Sequence, residues 1–175
     1  MIRTAKPQDI PRIAEIMIFG KRVAYRPIFQ DDFVSFNEMR VIDVIEKYNN
    51  DPACLKGMLV YDDGIVKGVL GRKLEKETVE LTDFYVEPFF KGQGVGTKLI
   101  QYAIAQARET GRERMFLWVL EENTPARKFY EANGFINSKE TRLVEGTEKT
   151  DMRYELVICP ESKEKLCERS DFEKE

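Results

Sequence analysis

The sequence contains no histidine among its 175 residues. This absence excludes nucleophilic catalysis by Ser-His-Asp or Cys-His groups and every metal site that needs an imidazole ligand. The three cysteines are too few and too irregularly spaced for a disulfide framework or a cysteine metal site; they are Cys54, Cys159 and Cys167. We therefore expect free thiols in a reducing cytoplasm and no metal centre.

Long apolar runs and a strong charge imbalance are also missing. No stretch approaches the about 20 apolar residues that span a bilayer, and the N-terminus, MIRTAKPQDI, lacks the apolar segment of a secretion signal. The 28 basic and 31 acidic residues give a net charge of −3, which argues against nucleic-acid binding through bulk charge. We expect a cytoplasmic protein without membrane or nucleic-acid partners, in which one domain (1–158) precedes a charged C-terminal tail (159–175).

Apolar residues at helical spacing predict two helices in the first third of the chain. Ile10, Ile13 and Met17 mark one face of the first helix. Spacing from Phe33 to Tyr48 predicts the second helix. The aromatic segment between them, 25–29, is expected to be a loop.

The rest of the chain alternates strand and helix patterns. Strands are predicted at 57–61, 65–74 and 78–86, then a helix (95–107), a strand (115–120), a helix (124–132) and two antiparallel strands (135–143 and 150–158). In the third of these strands the apolar period slips by one residue between Leu81 and Phe84, which indicates a β-bulge. This order predicts an α+β fold: a mixed, mostly antiparallel sheet of six to seven strands, splayed at the bulge, with four main helices.

A glycine-rich loop, Lys91–Lys98, lies between a strand and an amphipathic helix. Its sequence, KGQGVGTK, lets the backbone approach a ligand, and the first N–H groups of the helix have no intrahelical partner. Together these features favour an anion site. A dinucleotide-binding fingerprint fails because Thr97 stands where a third glycine is required, and a P-loop fails because Thr97 and Leu99 replace its second glycine and its hydroxyl residue. A diphosphate cradle of another family is the remaining functional interpretation, beside a turn without a ligand.

Two motifs carry a family resemblance. The strand and loop read Leu81–Pro88 and Lys91–Gly96, close to L-x-x-h-x-V-x-P followed by [Q/R]-x-x-G-x-[G/A], with Lys91 as the one departure. Further on, Asn123–Phe135 matches N-x-x-A-x-x-F-Y-x-x-x-G-F. The chain thus resembles the GNAT superfamily of acetyl-CoA-dependent N-acetyltransferases, in its bacterial single-domain type.

The resemblance implies a GNAT fold and an enzyme that transfers acetyl from acetyl-CoA to a primary amine of a small molecule or peptide by direct attack. The backbone N–H of Phe84 would hold the thioester carbonyl, Val86 would pair with the pantetheine amide, and Asn123 would bind the cofactor arm. The implied cofactor-binding set is Phe84, Tyr85, Val86, Lys91, Gly92, Gln93, Gly94, Val95, Gly96, Thr97, Asn123, Ala126 and Tyr130.

The resemblance also suggests the catalytic groups. Tyr130 would be the general acid that protonates the leaving thiolate, since a phenol stays protonated at neutral pH. Adjacent residues of a helix do not share a face, so only one of Phe129 and Tyr130 is expected to pack in the core. We expect this to be Phe129, which leaves the Tyr130 hydroxyl available for catalysis. Glu80 is the candidate base, with Asp83, Glu87 or an ordered water as alternatives.

The acceptor is placed by the resemblance beside the first helices and the last strands. Tyr25, Phe29 and Asp83 are the candidate acceptor-binding residues, and acidic side chains there would attract a cationic amine. Two alternative functions stay open: an acetyl-CoA-binding module without catalytic activity, and a nucleotide or redox protein that uses the loop differently. Separately, a homodimer is a candidate oligomeric state.

Overall fold

The computed structural model describes residues 1–158, and the predicted tail (159–175) lies outside the described residues. Seven strands and four α-helices follow one another as β1 (Ile2–Thr4), α1 (Ile10–Phe29), α2 (Val41–Asn50), β2 (Leu59–Asp62), β3 (Val66–Leu74), β4 (Thr78–Val86), α3 (Val95–Glu109), β5 (Arg114–Leu120), α4 (Thr124–Ala132), β6 (Ile136–Leu143) and β7 (Thr150–Val157). The strands form one sheet in the order β1-β2-β3-β4-β5-β7-β6. Among the described strands, only β4 and β5 pair in parallel, so the predicted α+β fold with a mostly antiparallel sheet is confirmed.

Two apolar clusters cover the two faces of this sheet. On one face, α3 buries Leu99 and Ile100 against strand residues such as Leu117. On the other face, α1 buries Ile13 and Met17 in the second cluster. The helical spacing in the sequence predicted both sets of buried residues, because a stripe of apolar residues must face a sheet to leave water.

The centre of the sheet opens where β4 leaves its neighbours. β4 pairs with β5 only from Thr78 to Leu81. On its other side the register with β3 shifts, and Asp83 and Phe84 together oppose Leu70. Asp83 takes a left-handed backbone conformation, with φ of 40°. The predicted bulge is therefore confirmed, and beyond Leu81 the edge of β4 faces a gap rather than β5.

The segment 25–29, expected to be a loop, is the last part of α1. Pro27 lies inside the helix, where it removes one backbone N–H donor. The helix ends only two residues later, so little regular structure is lost. Tyr25 contacts Tyr85 and the ring of Phe29, and these contacts hold the last turn in place.

The prediction of a single helix from Phe33 to Tyr48 is also wrong. This part of the chain forms a short π-helical turn (34–38) followed by the separate helix α2. Phe33 and Phe36 are 64% and 52% exposed, so they do not belong to the buried face of a helix. Arg22 stabilises the break by donating hydrogen bonds to the carbonyl oxygens of Ser35 and Met39.

An ion pair fixes the start of α1 to the segment after β4. Glu87 is only 4% exposed, and its Oε2 lies 3.0 Å from Nη2 of Arg12. We expect Arg12→Ala to lower the free energy of unfolding by about 3 kcal/mol, because a buried carboxylate loses its counter-charge. Urea denaturation measures this change.

An exposed arginine provides the control for that variant. Arg40 pairs with Asp43 at the surface of the protein. Because solvent screens such pairs, we expect Arg40→Ala to leave the denaturation midpoint nearly unchanged. Equal losses in both variants would contradict a special role for the Arg12–Glu87 pair.

Candidate functional site

The glycine loop presents a row of backbone donors at the start of α3. Gly92 and Gly94 have φ of 76° and 75°, a left-handed conformation that other residues adopt only with strain. Within residues 1–158, no hydrogen-bond acceptor pairs with the N–H groups of residues 92–97. An ideal Cβ at Gly92 or Gly94 would meet no atom within 4 Å, so the space around both is open. Unpaired N–H groups and the positive end of the α3 dipole suit an anionic ligand.

Gly96 is needed for helix packing rather than for the conformation of the loop. A Cβ at this position would lie 3.4 Å from the ring of Phe129 and 3.5 Å from Cγ2 of Val86. The missing side chain therefore lets α3 lie close to α4 and to the end of β4. Around the loop, Val95 is buried in the core, whereas Lys91, Gln93 and Thr97 are exposed.

After the bulge, successive side chains of β4 alternate between the two faces of the sheet. Phe84 and Val86 pack against the cluster below α3, and Tyr85 packs against the cluster below α1. The backbone of these residues borders the gap between β4 and β5. An extended ligand can thus pair with the free edge of β4 as an added strand.

The start of α4 lies at the far side of the gap. Oδ1 of Asn123 accepts a hydrogen bond from the N–H of Ala126 at 3.3 Å and caps the helix. No described residue pairs with its Nδ2. This capping bond fixes the direction of the amide, so its donor points away from the helix end.

Tyr130 and Phe129 both pack against the core, so the expectation that only Phe129 packs is wrong. Their ring centroids are 5.5 Å apart, and Phe84 contacts both rings, at 5.6 Å from Phe129 and 6.3 Å from Tyr130. Burial raises the pKa of the Tyr130 phenol above its ordinary value of 10.0. Within the described part of the chain its hydroxyl has no hydrogen-bond partner.

On the α1 side of the bulge, two phenols form a pair. The hydroxyl oxygens of Tyr25 and Tyr85 are 3.1 Å apart, and burial raises the pKa of both. A Cβ on Gly20 would lie 2.7 Å from Cδ1 of Tyr85, so this glycine lets α1 cross directly over the ring. Phe29 packs edge-on against Tyr25, with 6.2 Å between the ring centroids.

The candidate bases lie at different distances from the bulge. Oε2 of Glu80 accepts a hydrogen bond from Nζ of Lys73 at 2.9 Å. Phe84 lies four positions after Glu80, which corresponds to about 13 Å along an extended strand. Glu87 is buried against Arg12, whereas Asp83 makes no ion pair with any described residue.

A cavity of about 420 Å³ beside Asp83 was not predicted from the sequence. Its walls come from α2, the segment after it, β3 and β4, which are distant along the chain. The available signal was Gly71, a glycine inside a strand, where backbone or ligand often approaches closely.

Two kinds of site are absent from residues 1–158. These residues hold no cluster of three or more potential metal ligands. None of their helices combines the length and the apolar character needed to cross a membrane.

Comparison with known proteins identifies the family. The model of the acetyltransferase (GNAT) family matches residues 22–135. Two uncharacterized N-acetyltransferases are each 40% identical, one from Methanocaldococcus jannaschii over 72 residues (41% of this chain, 30% of the relative) and one from Archaeoglobus fulgidus over 55 residues (31% of this chain, 37% of the relative). These matches thus span only 30% and 37% of the two relatives.

A solved structure supports the same conclusion about the fold. The structure of yncA from Salmonella typhimurium with its cofactor acetyl-CoA superposes with a TM-score of 0.66 and 22% identity, covering 91% of this chain and 94% of that one. The likeness therefore extends over nearly the whole architecture described above. With the family match to residues 22–135, these findings show that the chain belongs to the GNAT family of acetyltransferases.

Proposed function

We propose that this protein transfers acetyl from acetyl-CoA to a primary amine of a small molecule or peptide. When bound, acetyl-CoA supplies the acetyl group as a thioester. The observation that carries the proposal is the row of unpaired N–H groups at residues 92–97, directly beside the gap between β4 and β5. An anion at the loop and an extended arm along β4 correspond to the diphosphate and the pantetheine of CoA.

The cofactor-binding residues would act mostly through their backbones. The N–H groups of the loop bind the diphosphate, with Lys91 adding positive charge at its rim. Val86 pairs with the pantetheine amide, and the N–H of Phe84 binds the thioester carbonyl. Nδ2 of Asn123 binds the arm, because its Oδ1 is engaged in capping α4.

Tyr130 would act as the general acid. Its phenol borders Phe84 at the bulge, and its raised pKa keeps the proton in place at neutral pH. The hydroxyl then donates its proton to the departing sulfur. The absence of histidine from the chain leaves a phenol as the best neutral donor at this position.

The acceptor would enter on the α1 side of the sheet, beside Tyr25, Phe29 and Asp83. Its amine must lose a proton before it attacks, and Glu80 can accept that proton through water across the distance along β4. Attack is direct, with no acetylated residue of the protein, because nothing on the chain beside the bulge provides a histidine-activated nucleophile.

We further propose that residues 1–158 form the acetyltransferase domain and that 159–175 are a charged tail. The enzyme works in the cytoplasm, and its proposed oligomeric form is a homodimer. The two relatives named above are archaeal, and a bacterial origin of this chain stays a prediction.

Calorimetry and thiol release together test this function. We expect one CoA to bind per chain, ATP and NAD not to compete, and thiol to appear from acetyl-CoA only when a primary amine is present. CoA binding without thiol release for any amine would favour the silent binding module. No heat with CoA would overturn the proposal.

A further inference from the structure

The cavity of about 420 Å³ lies on the α1 side of the sheet, between the end of α2 and strands β3 and β4. Gly71 and Thr82 both line it, and a Cβ on Gly71 would lie 2.5 Å from Oγ1 of Thr82, so the missing side chain lets Thr82 lie directly against β3. Thr82 and Asp83 line its inner end. This volume falls within the range of about 300–1,000 Å³ that is typical of small-molecule sites.

The walls of the cavity carry more positive than negative charge. Lys47, Lys56, Arg72 and Lys73 line it, and the acidic residue in its described lining is Asp83. Lys73 is engaged by Glu80, and Arg72 donates to the carbonyl oxygen of Gly57 and to Gln106. Within the described ranges, neither Lys47 nor Lys56 makes an ion pair, and Nζ of Lys47 lies 5.9 Å from the ring centroid of Tyr48, which also lines the cavity. Neither positive charge is therefore neutralised by a carboxylate.

The inner end of the cavity adjoins the proposed reacting position. Asp83 is the bulge residue, and the next residue along the chain is Phe84, whose N–H is proposed to bind the thioester carbonyl. The carboxylate of Asp83 has no ion pair or hydrogen bond to a described residue. It can therefore hold the ammonium form of an amine before the proton leaves.

We propose that this cavity binds the acceptor, and that the acceptor is a small primary amine bearing a second, anionic group. The amine lies at Asp83, and the anionic group, a carboxylate or a phosphoryl group, is bound by Lys47 and Lys56. This inference rests on the proposed acetyl transfer and specifies its substrate class. A peptide acceptor would instead leave the positive wall of the cavity unused.

Three matched amines test the preference for an anionic group: propylamine, γ-aminobutyrate and aminopropylphosphonate. Each carries a primary amine on a chain of three carbons, and the last two add a carboxylate or a phosphonate at the other end. We expect kcat/KM for the two anionic amines to exceed that for propylamine by about tenfold or more, as charge-assisted hydrogen bonds form. The ratio between the two anions distinguishes a carboxylate from a phosphoryl substrate. Equal rates for all three, or faster acetylation of trialanine, would overturn the inference.

Single lysine variants locate the effect. We expect Lys47→Gln and Lys56→Gln each to lower the preference for the anionic amines by about threefold, and to change propylamine turnover little. Lys76→Gln removes the same charge from the exposed turn between β3 and β4 and should leave the preference unchanged. A loss of equal size in Lys76→Gln would assign the preference to the overall charge of the protein and contradict the site.

Binding without turnover separates this inference from the proposed function. Calorimetry with γ-aminobutyrate and aminopropylphosphonate on the CoA-bound protein should detect heat that Lys56→Gln reduces. Binding without any thiol release would retain the cavity site and remove the transferase proposal. Thiol release with amines but no such binding would support the transferase and contradict the inference about the cavity. The two results therefore distinguish failure of the inference from failure of the proposed function.

Discussion

Tyr130→Phe is expected to lower kcat by about 100-fold or more while the Kd of CoA stays unchanged. The variant removes only the hydroxyl, so the ring contacts with Phe84 and Phe129 remain. Without the phenol, the leaving thiolate must take its proton from water. Thiol release at saturating amine measures kcat, and calorimetry measures the Kd.

Another tyrosine provides the control for this variant. The hydroxyl of Tyr154 donates to Glu131 and accepts from Arg127, so it is engaged in a hydrogen-bond network that does not include Tyr130. Tyr154→Phe should lower stability without a comparable loss of kcat. If the two variants lose kcat equally, Tyr130 has a structural role only.

The pH profile gives a second readout on the same group. Burial raises the pKa of Tyr130 above 10.0, so the acid form persists at alkaline pH and is lost only above that value. As pH rises from about 7 to 10, kcat should therefore show no fall caused by Tyr130. A fall in wild-type kcat centred below pH 10 that Tyr130→Phe abolishes would contradict the raised pKa.

Gly94→Ala should weaken CoA binding by about tenfold, and Gly94→Asp by about 100-fold. At φ of 75° a Cβ strains the loop, and relaxation turns the N–H groups away from their common target. The aspartate adds repulsion between its carboxylate and the diphosphate. Calorimetric titration with CoA measures both changes.

The other end of α3 offers a matched glycine. Gly111 has φ of 72°, an ideal Cβ there would meet no atom within 4 Å, and the residue lies remote from the loop. Gly111→Ala should cost about 1 kcal/mol of stability, as Gly94→Ala does, but leave the Kd of CoA unchanged. Equal loss of affinity in both would mean that stability, and not the loop, controls binding.

Local patterns in the sequence predicted the parts of the site that lie on single elements. The slip between Leu81 and Phe84 located the bulge, because a period of two residues has to break where an extra residue enters a strand. The helix Thr124–Ala132 was predicted with its boundaries, since Asn123 caps one end and Gly134 follows the other. The roles of the individual site residues stay predictions.

Sequence patterns failed where distant contacts decide the structure. The aromatic segment 25–29 was expected to be a loop, but it is helical, and the contact between Tyr25 and Tyr85 holds it as the last turn of α1. Arg22, from α1, breaks the helix expected after Phe33. The basic cavity was invisible for the same reason: its lysines come from three separate segments, which meet only after folding.

The short pairing between β4 and β5 has a mechanical consequence. In the part of the chain that the structure describes, the half of the sheet from β1 to β4 and the half from β5 to β6 share strand hydrogen bonds only along Thr78–Leu81, and α3 connects the two halves. An extended arm bonded along 82–86 would continue that seam toward the other end. The bound donor would then act as an additional strand between the two halves of the sheet. Its release after each turnover would remove those hydrogen bonds and weaken the contact between the halves.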